Sequence, residues 1–136
     1  MRVSVVMLFA VALGAQTATS IWDGIYTPEQ ASQGQDLYQK QCASCHGDDL
    51  GGQGPAPSLA GSDFMANWNG QTLGDLFDKV QVSMPADHPG SLTGEQNAAI
   101  LAFILKSNKV PAGKASLATA SDVLKQIRFE AAKEKK

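Results

Sequence analysis

From Leu73 the chain reads LGDLFDKV, with Leu73, Leu76, Phe77 and Val80 at i, i+3, i+4 and i+7. That spacing draws one apolar stripe along a helix, and Thr72 can cap it. Thr93-Gly94-Glu95-Gln96 has the capping-box pattern. It opens a second such helix, where Ala99, Ile100, Phe103 and Ile104 share a face and which runs to Asn108. Upstream, Thr27-Pro28-Glu29-Gln30 offers an N-cap Thr, Pro at the first helical position and Gln at N3. The helix that follows has Leu37 and Tyr38 on its apolar side.

Between these helices, residues 47–71 are Gly- and Pro-rich, with apolar anchors at Leu50, Leu59, Phe64 and Trp68, and read as a long loop. Beyond Val110-Pro111-Ala112-Gly113 comes a short amphipathic end containing Leu124 and Ile127, which reads as a short helix. No segment alternates in strand fashion and no repeat recurs. The pattern predicts an all-α domain of three to four helices.

The first twenty residues stand apart. MRVSVVMLFAVALGAQTATS has one basic residue, an apolar run from Val3 to Ala15, then small and polar residues. That is the order of a secretory signal peptide, and the run is short for a membrane span. Cleavage after Gly14, Ala15 or Ser20 suits the small residues there. The division expected is a leader over 1–20 and one domain over 21–136, with 113–136 as a basic extension, working in the periplasm or another extracytoplasmic space. No later segment approaches an integral membrane span.

Composition adds little, since 43% hydrophobic and 18% charged residues are ordinary for a globular chain. Charge is more informative. Ile21 to Ala112 holds ten carboxylates against four lysines, whereas Gly113 to Lys136 holds six basic residues against three acidic. No basic stripe suited to nucleic acid exists. The closing AAKEKK reads as a solvated end, with docking on an acidic partner or lipid headgroups as the sharper alternative. Asp48 and Asp49 read as solvated surface.

The chemistry concentrates in QKQCASCHGDDLGG. Both cysteines of the chain and one of its two histidines fall in Cys42-Ala43-Ser44-Cys45-His46. A disulfide across so small a loop would constrain the unfolded chain little. A thioredoxin-type pair needs a preceding strand, and none is predicted. A zinc ion would find only distant His88 as a fourth ligand. Covalent haem attachment uses all three residues: Cys42 and Cys45 join the macrocycle and His46 binds the iron. One haem c also enlarges a core that so short a chain would build with difficulty, and gives the long loop something to pack against.

Met65, Met84 and His88 are the candidates for the second axial position, because Met1 and Met7 lie in the leader. Met65, near Phe64 and Trp68, suits core packing, and His88 reads as an exposed loop histidine. Met84, followed by Pro85 in a loop between two helices, is the expected ligand. A His46/Met84 pair would raise the reduction potential.

These residues form an ordered series: W-x-G-x-Y-T (22–27), G-x-x-L-Y (34–38), C-A-x-C-H-G (42–47), P-x-L-x-G (57–61), W-x-G-x-T-L (68–73), M-P (84–85), P-G-S-L (89–92) and P-A-G (111–113). In this series the chain resembles class I c-type cytochromes, and among them the short periplasmic cytochromes related to the haem domains of PQQ-dependent alcohol dehydrogenases. The resemblance implies the small cytochrome c fold, with helices wrapped around one covalently attached haem. It implies that Gly34 lets the first helix cross closely against the helix bearing Phe103. It also implies that the Pro57 carbonyl accepts from the His46 ring, and that Trp68 lies near a haem propionate, with simple core packing as the other reading of Trp68.

Two protein ligands on iron point to one-electron transfer rather than catalysis, with no acid, base or nucleophile recruited. The expected protein is an electron carrier, monomeric or in transient complexes with redox partners. Family resemblance suggests a quinoprotein dehydrogenase as donor and an oxidase or another cytochrome as acceptor. A dedicated haem subunit of such a dehydrogenase is the alternative. A haem-based sensor is the third reading, and requires that Met84 leave the iron readily.

Overall fold

Three threonines begin the main helices of the computed structural model, which describes residues 19–135. The Thr27 side chain accepts from the Gln30 amide and starts α1 (Pro28–Gln41). A single turn, α2 (Ala43–His46), follows directly. After a loop comes α3 (Ser62–Trp68). Thr72 and Asp75 close a reciprocal capping box at α4 (Leu73–Ser83), and Thr93 and Gln96 do the same at α5 (Gly94–Ser107). Two backbone donors are satisfied by each reciprocal pair. Another single turn is α6 (Ser121–Leu124).

The helices α1 and α5 make the central crossing, and Gly34 permits it. A Cβ placed there would lie 1.7 Å from the Ala99 carbonyl oxygen, so the contact needs a residue without one. The expected partner helix is confirmed, and the closest approach falls at Ala99. Beside it the rings of Tyr38 and Phe103 meet with centroids 5.2 Å apart. Every residue of α5 from Asn97 to Leu105 is buried, so this helix is enclosed on all sides rather than along one face.

Two expectations need correction. Residues 47–71 are not loop throughout, because α3 forms inside them and buries Phe64 and Met65. Its N-cap is Gly61, which offers no side chain to announce a helix start. The amphipathic end is not one helix through Leu124 and Ile127, since α6 ends at Leu124 and Ile127 lies in a strand.

That strand joins the first described residues to the segment after α6. β1 (Thr19–Ser20) pairs in parallel with β2 (Ile127–Arg128), with Thr19 opposite Ile127 and Ser20 opposite Arg128. The pairing continues beyond the strands. The Ile21 amide donates to the Arg128 carbonyl, the Gly70 amide to the Phe129 carbonyl and the Phe129 amide to the Gln71 carbonyl. The indole of Trp22 donates to the Glu130 carbonyl at 3.0 Å, and the Ser20 hydroxyl to the Glu130 carboxylate. Phe129 is fully buried and meets Phe64 edge-on. The segment after Gly113 is thus part of the fold up to Ala131, and residues 132–135 are exposed.

Residues 1–18 of the expected leader lie outside the described residues. Among the described residues no helix is long and apolar enough to cross a membrane.

Candidate haem attachment site

α1 ends at Cys42, whose amide still donates to the Tyr38 carbonyl, and the chain turns at once into α2. The amides of Cys45 and His46 both donate to the Cys42 carbonyl. Cys42 therefore caps a single turn that carries Cys45 and His46 three and four residues on, the spacing at which side chains of a helical turn are neighbours. Both thiols are free, Cys42 half-buried and Cys45 exposed. Burial, and then the neighbouring Cys45, push the Cys42 thiol up to about 11. That sets it apart from the low-pKa thiolates of redox-active pairs.

His46 is buried. Its Nδ1 lies 2.7 Å from the carbonyl oxygen of Pro57. A carbonyl only accepts, so Nδ1 carries the proton and donates, leaving the Nε2 lone pair for a metal. Nε2 has no hydrogen-bond partner among the described residues. Two free thiols and an imidazole with a committed Nδ1 form the donor set that covalent haem attachment requires, so the residues fit the group. Among the described residues no three His, Cys, Asp or Glu side chains converge as metal ligands.

The loop after His46 is folded back onto the turn by backbone bonds. The Gly52 amide donates to the His46 carbonyl at 2.7 Å, and the Leu59 amide to the Leu50 carbonyl. Gly52 has φ +80, and a Cβ there would meet Ala56 O and Ser58 N at 2.7 Å and the carbonyl carbon of Pro57 at 2.8 Å. At the other end, the Asn108 side chain donates to the Leu59 carbonyl and accepts from the Gly61 amide. The Tyr38 hydroxyl donates to the Gly47 carbonyl at 2.7 Å. Reading the sequence alone passes over Gly52, Asn108 and the hydroxyl of Tyr38. Gly51-Gly52, five and six residues after His46, was the available signal for a tight return.

The remaining predicted residues stand elsewhere in the chain. Met84 is the half-buried C-cap residue of α4, its amide donating to the Val80 carbonyl. Trp68 ends α3, half-buried, and its indole N–H donates to no group among the described residues. No hydrogen bond or ring contact ties Met84 or Trp68 to the Cys42–His46 turn. Met65 is buried in the core. His88 is exposed and 3.5 Å from the carboxylate of Asp87. Asp48 and Asp49 are exposed, Asp49 accepting from the Gly51 amide.

Comparison with known proteins bears on this arrangement. The profile of the family described as "Cytochrome C oxidase, cbb3-type, subunit III" matches residues 29–104. Among solved structures, a chain of the sulfane dehydrogenase SoxCD from Paracoccus pantotrophus is similar, with a TM-score of 0.52 and 25% identity. The likeness covers 88% of this chain and 68% of that one. No curated protein matches the sequence.

Proposed function

The chain belongs to the c-type cytochrome family described as cytochrome c oxidase, cbb3-type, subunit III, and we propose that it is a single-electron carrier with His46 and Met84 as axial ligands. One haem c, the family's cofactor, is held through Cys42 and Cys45. The observation that carries this reading is the His46 ring, buried beside two free thiols with its Nδ1–H given to Pro57. Haem supplies one-electron exchange between ferric and ferrous iron.

The chain's own groups tune that exchange. Donation from Nδ1 to the Pro57 carbonyl fixes the imidazole's orientation and strengthens it as a donor. The thioether of Met84, a soft ligand, favours ferrous iron and raises the potential. With His46 and Met84 both given to the iron, no position would remain there for substrate, which suits transfer rather than catalysis. The free indole N–H of Trp68 suits a propionate carboxylate.

We place the protein outside the cytoplasm, with its leader removed ahead of Thr19. Cleavage after Ser20 would sever the pairing of Thr19 and Ser20 with Ile127 and Arg128. Its partners are other redox proteins, met briefly through a small patch. The sequence resemblance favours a quinoprotein dehydrogenase as donor and an oxidase or second cytochrome as acceptor. Likeness to a chain of a sulfane dehydrogenase supports a second reading, a dedicated haem subunit within a dehydrogenase complex. A large subunit that copurifies at stoichiometric yield would select it.

Absorption spectra of the haem-loaded protein test the ligand set: oxidised, reduced, and reduced under carbon monoxide. A low-spin ferric spectrum with the weak long-wavelength iron–thioether band, and a ferrous spectrum unmoved by carbon monoxide, are expected. Loss of that band together with a carbon monoxide shift would remove Met84 and favour a ligand-binding or sensor role. A low-spin spectrum without the band would point to His88.

A further inference from the structure

Asn97 is a fully buried amide in the first turns of α5. Its Nδ2 donates to the Phe77 carbonyl at 3.0 Å and to Gln81 Oε1 at 3.1 Å, both in α4. Gln81 Nε2 in turn donates to the Leu92 carbonyl at 2.6 Å. The chain of bonds ends on a backbone carbonyl at each side, and carbonyls only accept. Both amide orientations are therefore fixed. The arrangement leaves Asn97 Oδ1 buried without a partner. An interior amide with an orphaned acceptor is a poor device for stability, and such groups call for another explanation.

What the bonds secure is a loop. The chain leaves α4 at Met84 and re-enters helix at Thr93, the N-cap of α5. Between them Pro85 and Leu92 are buried, whereas residues 86–91 are exposed. Two backbone bonds lie within the loop, from the His88 amide to the Pro85 carbonyl and from the Ser91 amide to the His88 carbonyl. The Gln81–Leu92 bond closes its base, joining the last turn of α4 to the residue before the α5 cap. Asn97 locks the Gln81 side chain in the rotamer that reaches Leu92.

We propose that Asn97 and Gln81 are positioning residues for Met84: by fixing the ends of its loop, they hold the thioether where the iron can keep it. This rests on the reading of Met84 as axial ligand. Loosening the clasp would let the ligand leave more readily while the fold stands.

Four haem-loaded proteins test it: wild type, Asn97→Leu, Gln81→Leu and the double variant. The readouts are the ferric iron–thioether band, carbon monoxide uptake by the ferrous protein, and thermal unfolding. Each single variant is expected to bind carbon monoxide about tenfold more readily, with a weaker band and an unfolding midpoint equal to or above wild type. A tenfold change is about 1.4 kcal/mol. The double variant should do no more than either single, because the residues act in one chain of bonds. Single variants with the wild-type band and carbon monoxide affinity would overturn the proposal. So would variants whose unfolding midpoint falls in step with ligand loss, which would make the amides general supports of the fold. Should Asn97→Leu fail to load haem, Gln81→Leu decides alone. A wild type lacking the band and taking up carbon monoxide would defeat the Met84 reading itself, a result the variants are not needed to see.

Discussion

The His46 Nδ1 lies 2.7 Å from the Pro57 carbonyl oxygen, eleven residues along the chain, and what brings them together is Gly52. Its φ of +80 and the close approach of Ala56, Pro57 and Ser58 leave no space for a Cβ. Gly52→Ala is therefore expected to push the Pro57 carbonyl off the ring and to destabilise the fold by about 1–3 kcal/mol. A histidine with a weaker Nδ1–H bond is a poorer donor, so ferric iron is less well supported and the potential rises. The expected shift is some tens of millivolts, against about 59 mV for a tenfold change in a one-electron couple. Redox titration of the haem-loaded variant checks it, and an unchanged or lowered potential would count against the Pro57 carbonyl as the tuning group.

Gly34→Ala makes a sharper contrast with expectation from helix propensity. In an exposed helix interior that change gains about 1 kcal/mol. Here the new Cβ would lie 1.7 Å from the Ala99 carbonyl oxygen and 2.4 Å from its carbon, both backbone atoms of a buried helix. α1 and α5 must separate, and the cost is set at about 3 kcal/mol or more by lost packing. Denaturant unfolding of the haem-loaded protein measures this directly. A variant as stable as wild type would mean the two helices do not cross as closely as described.

How much of this was legible beforehand depended on whether the signal was local. Thr27, Thr72 and Thr93 announced three helices, since a cap and its partner lie within one turn of sequence. The five residues from Cys42 to His46 held the attachment chemistry in full. α3 escaped notice because Gly61 has no capping side chain and seven residues show barely two turns of periodicity. The bond from His46 to Pro57 was suggested by family resemblance rather than by any property of Pro57, whose carbonyl is backbone. Asn97 did carry a signal, a single polar residue opening the apolar run Ala98 to Leu105, but nothing in the sequence says which carbonyls it reaches. Phe129 finds its partners at Phe64, Gly70 and Gln71, and pairing at such separation leaves no periodic trace.

Alkaline pH should act on stability through Tyr38. In the chain before haem attachment, burial first, then the Cys42 thiolate, Asp49 and Asp48, push its phenol from 10.0 to about 12. The folded state therefore holds the proton more tightly than the unfolded chain. That contribution is fully present below pH 10 and is lost as pH rises through about 12. Tyr38→Phe removes the titration but also the bond to the Gly47 carbonyl, worth about 1 kcal/mol at neutral pH. The gap between wild type and variant is expected to close between pH 10 and 12. Unfolding midpoints taken across that window test this, and parallel curves would place the Tyr38 hydroxyl in contact with solvent.

The chain's C-terminal segment offers a last test, because its two halves should behave in opposite ways. Phe129 has no exposed surface, meets Phe64 edge-on and exchanges backbone bonds with Gly70 and Gln71. Trp22 and Ile21 both depend on the same stretch for acceptors. Truncating a ring in such a position costs about 3–5 kcal/mol, so Phe129→Ala should lower the unfolding midpoint steeply. The residues after Ala131 are a different matter: 132–135 are exposed, and removing them should change stability by less than about 0.5 kcal/mol. The same deletion removes lysines, so any slowing of electron transfer to an acidic partner would show at low salt and vanish as ionic strength rises. Denaturant unfolding of the two haem-loaded variants separates these outcomes. If Phe129→Ala unfolds with wild type, the segment after Gly113 is an appendage rather than a wall of the core, and the pairing of Thr19 and Ser20 with it is dispensable as well.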